Sequence, residues 1–550
     1  MRTVKYFFHI NFFFWKEVWL IKTLIINATI VDGSGEPAYK ADLLINDDKI
    51  EKIGQISDTD VDKVIDAKGL VVAPGFIDTH SHSDLDVLLR PHVMPKVMQG
   101  ITTEFLGQDG VSMAPLPIEY ISDWRKNIAG LDGVSDEIDW TYQTTDNYLK
   151  MIENVGPGIN ECYLVPHGNI RMEAMGLDSR QPTDEEIEKM KEITRREMEA
   201  GAFGLSTGLI YIPCAYSESK EIIEMCKVVA EFDGVFVIHQ RSEADTIVDS
   251  MNEVIEIGRK SGVRVHWSHF KVAGKKNWDK IDTVLSQLEQ AKKEGIRVSF
   301  DQYPYVAGST MMGAILPPWV HDGGTNKVIE RLKDPEMRKK MRYDMEHGIH
   351  GWDNFVDFAG FENIFVTSVV TEKNKDAVGL SITQLAELRN LDPYTAAFDL
   401  LMEEENAVGM VDFYGVEDHV KLFMSRPEMN ACTDGLLAPG KPHPRLYGSF
   451  PRILGKYVRE EKIMTIEEAV RKLTFKAAEA MSLKNRGLLK EGYYADITIF
   501  DPNTIEDKGT FVDPIQYPVG IEYVIVNGKV AVEHGKHTEV LNGRVIRNKR

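Results

Sequence analysis

Two histidines one residue apart, His80 and His82, stand where a short apolar run ends, in GLVVAPGFIDTHSHSD. On an extended strand, residues i and i+2 point to one face, so both imidazoles can reach one cation. Five more ionisable residues close comparable runs. Asp109 follows TTEFLGQ, His167 follows ECYLVP, His239 ends GVFVIH, His269 follows VRVHWS and Asp434 follows MNACT. Singly, each is as well explained by a hydrogen-bonded core position. Together they are not, because a core does not favour so many ionisable groups unless they are paired or hold metal. The pattern predicts a divalent-metal site, and with it the activation of a water for hydrolysis.

Residues at strand ends meet only if the strands lie side by side and run the same way. The middle of the chain alternates short apolar runs with helical stretches such as 184–200 and 218–232, the signature of βαβ units. Strand candidates are GLVVAPGFIDTH, TTEFLGQDG, ECYLVPHGN, GAFGLSTGL, GVFVIHQR, VRVHWSHF, RVSFDQYPY and MNACTDG. They predict an α/β fold, a (β/α)8 TIM-like barrel whose strand ends share one rim. Strands one to seven fall in 73–311. The eighth and a last helix fall in 426–485, that helix opened by the capping pair Thr465 and Glu468. Between them, residues 312–425 exceed any ordinary loop, and Ser381, Gln384 and Asp392-Pro393 mark helix starts. The segment reads as a helical insertion, a lid over the barrel mouth. Residues 23–72 and 486–550 alternate with short period and turn at Asp32-Gly33 and Asn527-Gly528. They predict a small β-sandwich domain built from both termini. Residues 1–22 carry an apolar run from Tyr6 to Trp15, broken by His9 and Asn11, and read as a leader or start-site extension.

Composition narrows the class. Of 550 residues 43% are hydrophobic, enough for a large core and a second domain. Lys and Arg number 64 against 85 Asp and Glu, a net charge of −21, which argues against nucleic-acid and anionic-membrane surfaces. Cys162, Cys214, Cys226 and Cys432 show no CxxC spacing and predict reduced thiols in the cytoplasm. A small-molecule substrate is the partner implied, with assembly into a homo-oligomer left open.

PGFIDTHSHSD resembles the first-strand motif of the amidohydrolase superfamily, whose HxH pair binds metal. PHGNIR, GAFGLSTGLIYIP, IHQRSE, SHFKVAG, DQYPYVAGST, ILPPWV, HPRLYGSFPR and RGLLKEGYYADITIFDP, in that order, resemble the D-aminoacylase (N-acyl-D-amino-acid deacylase) family. The resemblance runs from about Lys22 to the C-terminus. It implies a metal-dependent hydrolase of N-acyl-D-amino acids holding one or two divalent ions, with zinc the first expectation. It also implies metal ligands at His239 and His269, a second position at His80 and His82, and a general base at Asp434. Tyr211 and Ser309 match its substrate contacts. Arg241, Lys271 and Arg445 lie in its rim motifs and are candidates for the substrate's α-carboxylate. His167 is either a structural neighbour or a substrate contact. One departure stands out: where the family reads GNCG with a cysteine ligand, this chain reads Gly107-Gln108-Asp109-Gly110. A carboxylate is a harder ligand than a thiolate and can bridge two cations. The fourth strand, GAFGLSTGL, also lacks a lysine that could bridge, so either Asp109 bridges or the site holds one less tightly bound metal. A cyclic amidase, a D-dipeptidase and a silent barrel with a binding role are the rival readings. The acidic composition favours substrates with neutral or apolar side chains.

Overall fold

A computed structural model describes residues 21–57, 60–437 and 440–549. The leader read over 1–22 therefore lies outside the described residues, except for its last two positions. Lys22 already opens a strand, Lys22–Ile30.

Eight short strands carry the site and are numbered here β1 (Phe76–Asp78), β2 (Ile101–Leu106), β3 (Asn160–Tyr163), β4 (Gly204–Gly208), β5 (Val235–His239), β6 (Arg264–Trp267), β7 (Val298–Gln302) and β8 (Met429–Ala431). β1, β2 and β3 pair in parallel, and so do β4 through β8 in chain order. The amide of Phe203 donates to the carbonyl of Tyr163 at 2.9 Å, bringing the lead-in to β4 beside β3. At the other side Gly435–Leu436 pairs in parallel with Ser81–His82.

Helices follow the strands as their patterns require. Thr183 caps Asp184–Glu199 in a reciprocal box with Glu186, and Ile187, Met190, Ile193 and Met198 form its buried stripe. Ser219–Glu231 and Ile247–Ser261 follow β4 and β5 with buried stripes of their own, without a side-chain cap. β5, VFVIH, is buried along its whole length, as a parallel strand covered on both faces must be.

Both ends of the described chain share one nine-stranded sheet. Val71–Pro74, the last strand before β1, pairs antiparallel with Ile497–Phe500. Ile25, Leu43, Ile45, Ile497, Ile499 and Ile525 form its core. The segment after β7 differs from the all-helical expectation. Helices Thr325–Lys333, Pro335–His347, Ile382–Arg389 and Pro393–Glu403 are present, but so is an antiparallel sheet. Gly409–Phe413 is its central strand, flanked by Ala307–Met311 and Ile364–Ser368. The backbone leaving β7 stays extended through Ala307–Met311 and needs partners, which the later strand supplies. The segment has its own core, including Leu332, Met341, Leu385 and Leu400. No helix among the described residues is long and apolar enough to cross a membrane.

Candidate metal centre

The C-terminal ends of five strands deliver six clustered side chains. His80 and His82 lie just past β1, Asp109 past β2, His269 past β6 and Asp434 past β8, while His239 ends β5. None is more than 6% exposed. Asp109 sits among three imidazoles: Oδ1 is 3.7 Å from His80 Nε2 and 3.8 Å from His269 Nε2, and Oδ2 is 3.6 Å from His82 Nε2. Asp434 Oδ1 is 3.6 Å from His80 Nε2 and 3.4 Å from His82 Nε2. His239 stands beside them, its ring 4.5 Å from that of His269, with Nε2 3.6 Å from Glu243 Oε2.

The backbone is bent to achieve this. Asp109, His269 and Asp434 adopt left-handed φ of 56°, 34° and 48°. Such conformations cost on the order of 1–3 kcal/mol each and persist where surrounding structure enforces them. The amide of His269 donates to Asp301 Oδ1 at 2.5 Å, and that of Asp434 to the His80 carbonyl at 2.9 Å. Carboxylates also stand behind the rings, Asp132 at 3.4 Å from His82 Nδ1 and Glu243 at 3.2 Å from His269 Nδ1. Such partners fix the orientation and tautomer of a metal-binding imidazole.

The donor set fits a divalent cation. Both ring nitrogens of His80, Asp109 Oδ1 and His239 Nδ1 are buried with no hydrogen-bond partner among the described residues, a costly state for groups without a ligand. Three buried groupings could hold an ion: His80 with Asp109 and His269, His80 with His82 and Asp434, and His239 with Glu243 and His269. Burial opposes ionisation of Asp109, but the charges of His80 and His269 outweigh it and hold the carboxyl well below its usual range. Asp434 is held low against burial by Arg445 first and His80 next. Burial lowers His239 to about 4, so it is neutral at pH 7, the form that binds metal. His82 goes the other way: hydrogen bonds to Asp132 and Asp434 outweigh burial and raise it to about 10. A cation bound there must displace that proton.

A cavity of about 510 Å³ opens onto the cluster. Its lining includes Tyr211, Lys271, Ser309 and Arg445 as well as His82, Asp109, His239, His269 and Asp434. Lys271 Nζ is 2.8 Å from Glu243 Oε2 and 2.7 Å from His269 Nδ1. Arg445 is 2.8 Å from Asp434 Oδ2 and donates to the Ser309 carbonyl at 2.9 Å. Tyr211 shares a 2.7 Å hydrogen bond with Thr310, and Ser309 Oγ donates to the Met410 carbonyl at 2.8 Å.

Two expected contacts do not line this cavity. His167 hydrogen-bonds Thr207 and Glu221, both at 2.8 Å, so neither ring nitrogen is left for a substrate. Arg241 is spent on Glu253 at 2.9 Å and on the carbonyls of Ala215 and Ser217. Each lies in a motif at a strand end, yet its long or apical donor finds a nearer partner on the neighbouring helix. Conversely, Glu243, Asp132 and Asp301 were not anticipated. Glu243 lies four residues past His239, a spacing that could have drawn attention, whereas Asp132 sits in an ordinary Leu-Asp-Gly turn.

Histidines and carboxylates converging at the ends of parallel strands define a class, the metal-dependent hydrolases built on such sheets. The chain belongs to the amidohydrolase family, whose profile matches residues 63–315 and 382–532. It is 33% identical over 524 residues to D-aminoacylase of Alcaligenes xylosoxydans xylosoxydans, covering 95% of this chain and 97% of that protein. It is 32% identical over 499 residues to N-acyl-D-glutamate deacylase of the same organism, 91% of each chain. Among solved structures it matches N-acyl-D-glutamate deacylase from Bordetella bronchiseptica, complexed with zinc and a phosphonate mimic of the tetrahedral intermediate. That match has a TM-score of 0.82 at 32% identity, covering 96% of this chain and 99% of the other. A D-hydantoinase, at 14% identity and TM-score 0.53, shares the fold alone.

Proposed function

We propose that this protein hydrolyses the amide bond of N-acyl-D-amino acids with a divalent metal, releasing a carboxylate and a free D-amino acid. The single observation that carries the reading is the buried convergence of His80, His82, Asp109, His239, His269 and Asp434 on a cavity that also holds Lys271 and Arg445. The zinc complex of the Bordetella relative supports zinc as the resident ion.

His80, His82, Asp109, His239 and His269 would hold the metal. Bound there, it activates water and polarises the scissile carbonyl. Asp109, with one oxygen toward His80 and His269 and the other toward His82, would be the hard carboxylate ligand of that set. Asp434 Oδ1 receives the proton of the attacking water and passes it to the departing nitrogen. Lys271 and Arg445 orient the α-carboxylate, while Tyr211 and Ser309 line the acyl and side-chain space.

The finer architecture belongs to the same reading. The two parallel sheets close into one eight-stranded barrel, supported by the contact of Phe203 with Tyr163 and the pairing of Gly435–Leu436 with Ser81–His82. The sheet shared by residues 23–72 and 486–550 forms the small β-domain, and 312–425 is the insertion over the rim. Four buried, unpaired cysteines support a reducing, cytoplasmic setting.

The test is a panel of N-acetyl and N-formyl D- and L-amino acids and D-dipeptides, assayed with Zn, Co and Mn. Cleavage of the D-series, abolished by chelation and restored by added metal, is the expected result. A fully active preparation free of metal would overturn the mechanism.

A further inference from the structure

The cavity has two walls of different origin. Strand ends supply the metal-cluster side, whereas Phe355, Phe358 and Asp412 come from the insertion. A side chain that extends from the metal cluster across the cavity meets the insertion wall. On that wall stands Asp412, on the central strand of the inserted sheet, with no ion pair within 4 Å among the described residues. It is 2% exposed and lines the cavity, yet among the described residues no side-chain hydrogen bond or ion pair to its carboxyl is found. The cations nearby face other carboxylates, Lys271 against Glu243 and Arg445 against Asp434, and in the proposed reading they also orient the substrate's α-carboxylate. Asp353, also on the cavity wall, is satisfied by the Ser242 hydroxyl at 2.6 Å and the Glu243 amide at 2.7 Å. Gly308 is paired with Asp412 in the sheet, and a Cβ there would lie 3.1 Å from Asp412 Oδ1 and 2.9 Å from the Tyr414 ring. The missing side chain keeps the approach to the carboxylate open. Burial lifts Asp412 to about 7 in spite of Lys271 and Arg445, as expected of a carboxylate still short of a partner.

We propose that Asp412 is a specificity-determining residue that selects D-amino acids whose side chain ends in a cationic donor, lysine-like ones foremost, over acidic ones of similar length. The inference rests on the N-acyl-D-amino-acid hydrolase reading. A cationic tip satisfies a desolvated carboxylate on the insertion wall of the cavity, beside Phe355 and Phe358. An acidic tip brings a second anion beside it, while Lys271 and Arg445 are already shared among Glu243, Asp434 and the α-carboxylate, which is penalised in a buried site.

The test compares wild type, Asp412→Asn and Asp412→Ser, all loaded with the same metal, on N-acetyl-D-lysine, N-acetyl-D-methionine and N-acetyl-D-glutamate. In wild type, lysine should exceed glutamate in kcat/KM by ~100-fold and methionine by ~10-fold. In both variants the lysine-to-methionine ratio should fall by ~10-fold, whereas a merely structural defect lowers all three rates together. Should the variants not fold, product inhibition of wild type by D-lysine against D-norleucine reads the same contact and should favour D-lysine by ~10-fold. Cleavage of methionine with no lysine preference, or with ratios unchanged in the variants, overturns the role of Asp412. No turnover of any of the three overturns the hydrolase reading and this inference with it.

Discussion

At the scale of single residues, Asp434 and Asp109 carry the sharpest consequences. Asp434 touches His80, His82 and Arg445 through opposite oxygens, so Asp434→Asn keeps the shape while removing the proton acceptor. The variant should fold and retain metal yet lose ~10³-fold in kcat, the usual worth of a positioned general base. A loss smaller than about tenfold would take Asp434 out of that role. Asp109 faces three imidazoles, so Asp109→Ala should lower the metal content measured by mass spectrometry. Asp109→Cys should shift preference toward a single tightly bound zinc, because thiolate is the softer ligand. Metal content of Asp109→Ala equal to wild type would refute a ligand role. His167 makes a different kind of prediction. Burial opposes its charged form, but the neighbouring Cys214 and Glu221 side chains outweigh this and raise it to about 9. Its folded pKa lies above the unfolded value, so the stability it contributes is fully present below about 6.5 and is lost as pH rises through about 9. The contribution is on the order of 3 kcal/mol. The Tm difference between wild type and His167→Gln should therefore narrow between pH 7 and 10. A constant difference would show that the pair acts by packing alone.

At the scale of elements, the turn after β2 shows how the chain positions a ligand. Gly110, beside Asp109, has φ of 71°, and a Cβ there would lie 2.7 Å from Cys214 Sγ and 2.8 Å from the Thr207 backbone. The close approach of this turn to β4 is what leaves Asp109 aimed at the histidines. Gly110→Ala should destabilise by at least ~2 kcal/mol in urea unfolding and reduce metal content alongside, since the turn must move. A variant with normal stability and normal metal content would show the turn to be tolerant. Helices were legible as elements because their caps are local: Ser381 with Gln384 forms a reciprocal box, and Thr465 accepts from the Glu468 amide without the return bond. The inserted sheet was not, because Ile364–Ser368 and Gly409–Phe413 are short runs whose partners lie far off in sequence.

At the scale of the whole molecule, strand ends, an eighth strand contributed late in the chain and the insertion enclose one cavity. In the proposed reading three fixed points surround the substrate's α-carbon: amide on the metal cluster, carboxylate on Lys271 or Arg445, and side chain toward Asp412. Inverting that centre forces the side chain into a wall or leaves a buried charge unpaired, at a cost of a few kcal/mol. The D enantiomer should exceed the L by at least ~100-fold in kcat/KM, which requires about 2.7 kcal/mol of differential transition-state binding. Matched kinetics on N-acetyl-D- and N-acetyl-L-leucine decide it, and equal rates would reduce the protein to an amide hydrolase without chiral selection.

Sequence alone determined which residues stand at strand ends, because strand period and helix caps are local and the HxH spacing puts two imidazoles on one face. It also determined the family, through motifs spread along nearly the whole chain. What it left undecided depends on distances between segments far apart in sequence. His167 and Arg241 carry the same local signature as His239 and Lys271, and only the packing of the helix that bears Glu221 and the one that bears Glu253 turns them away from the cavity. Asp412 has no local signature at all, since a carboxylate in GMVDF reads as an ordinary strand residue. Its function arises from the tertiary structure, which seats it in a buried cavity beside cations that other carboxylates already hold.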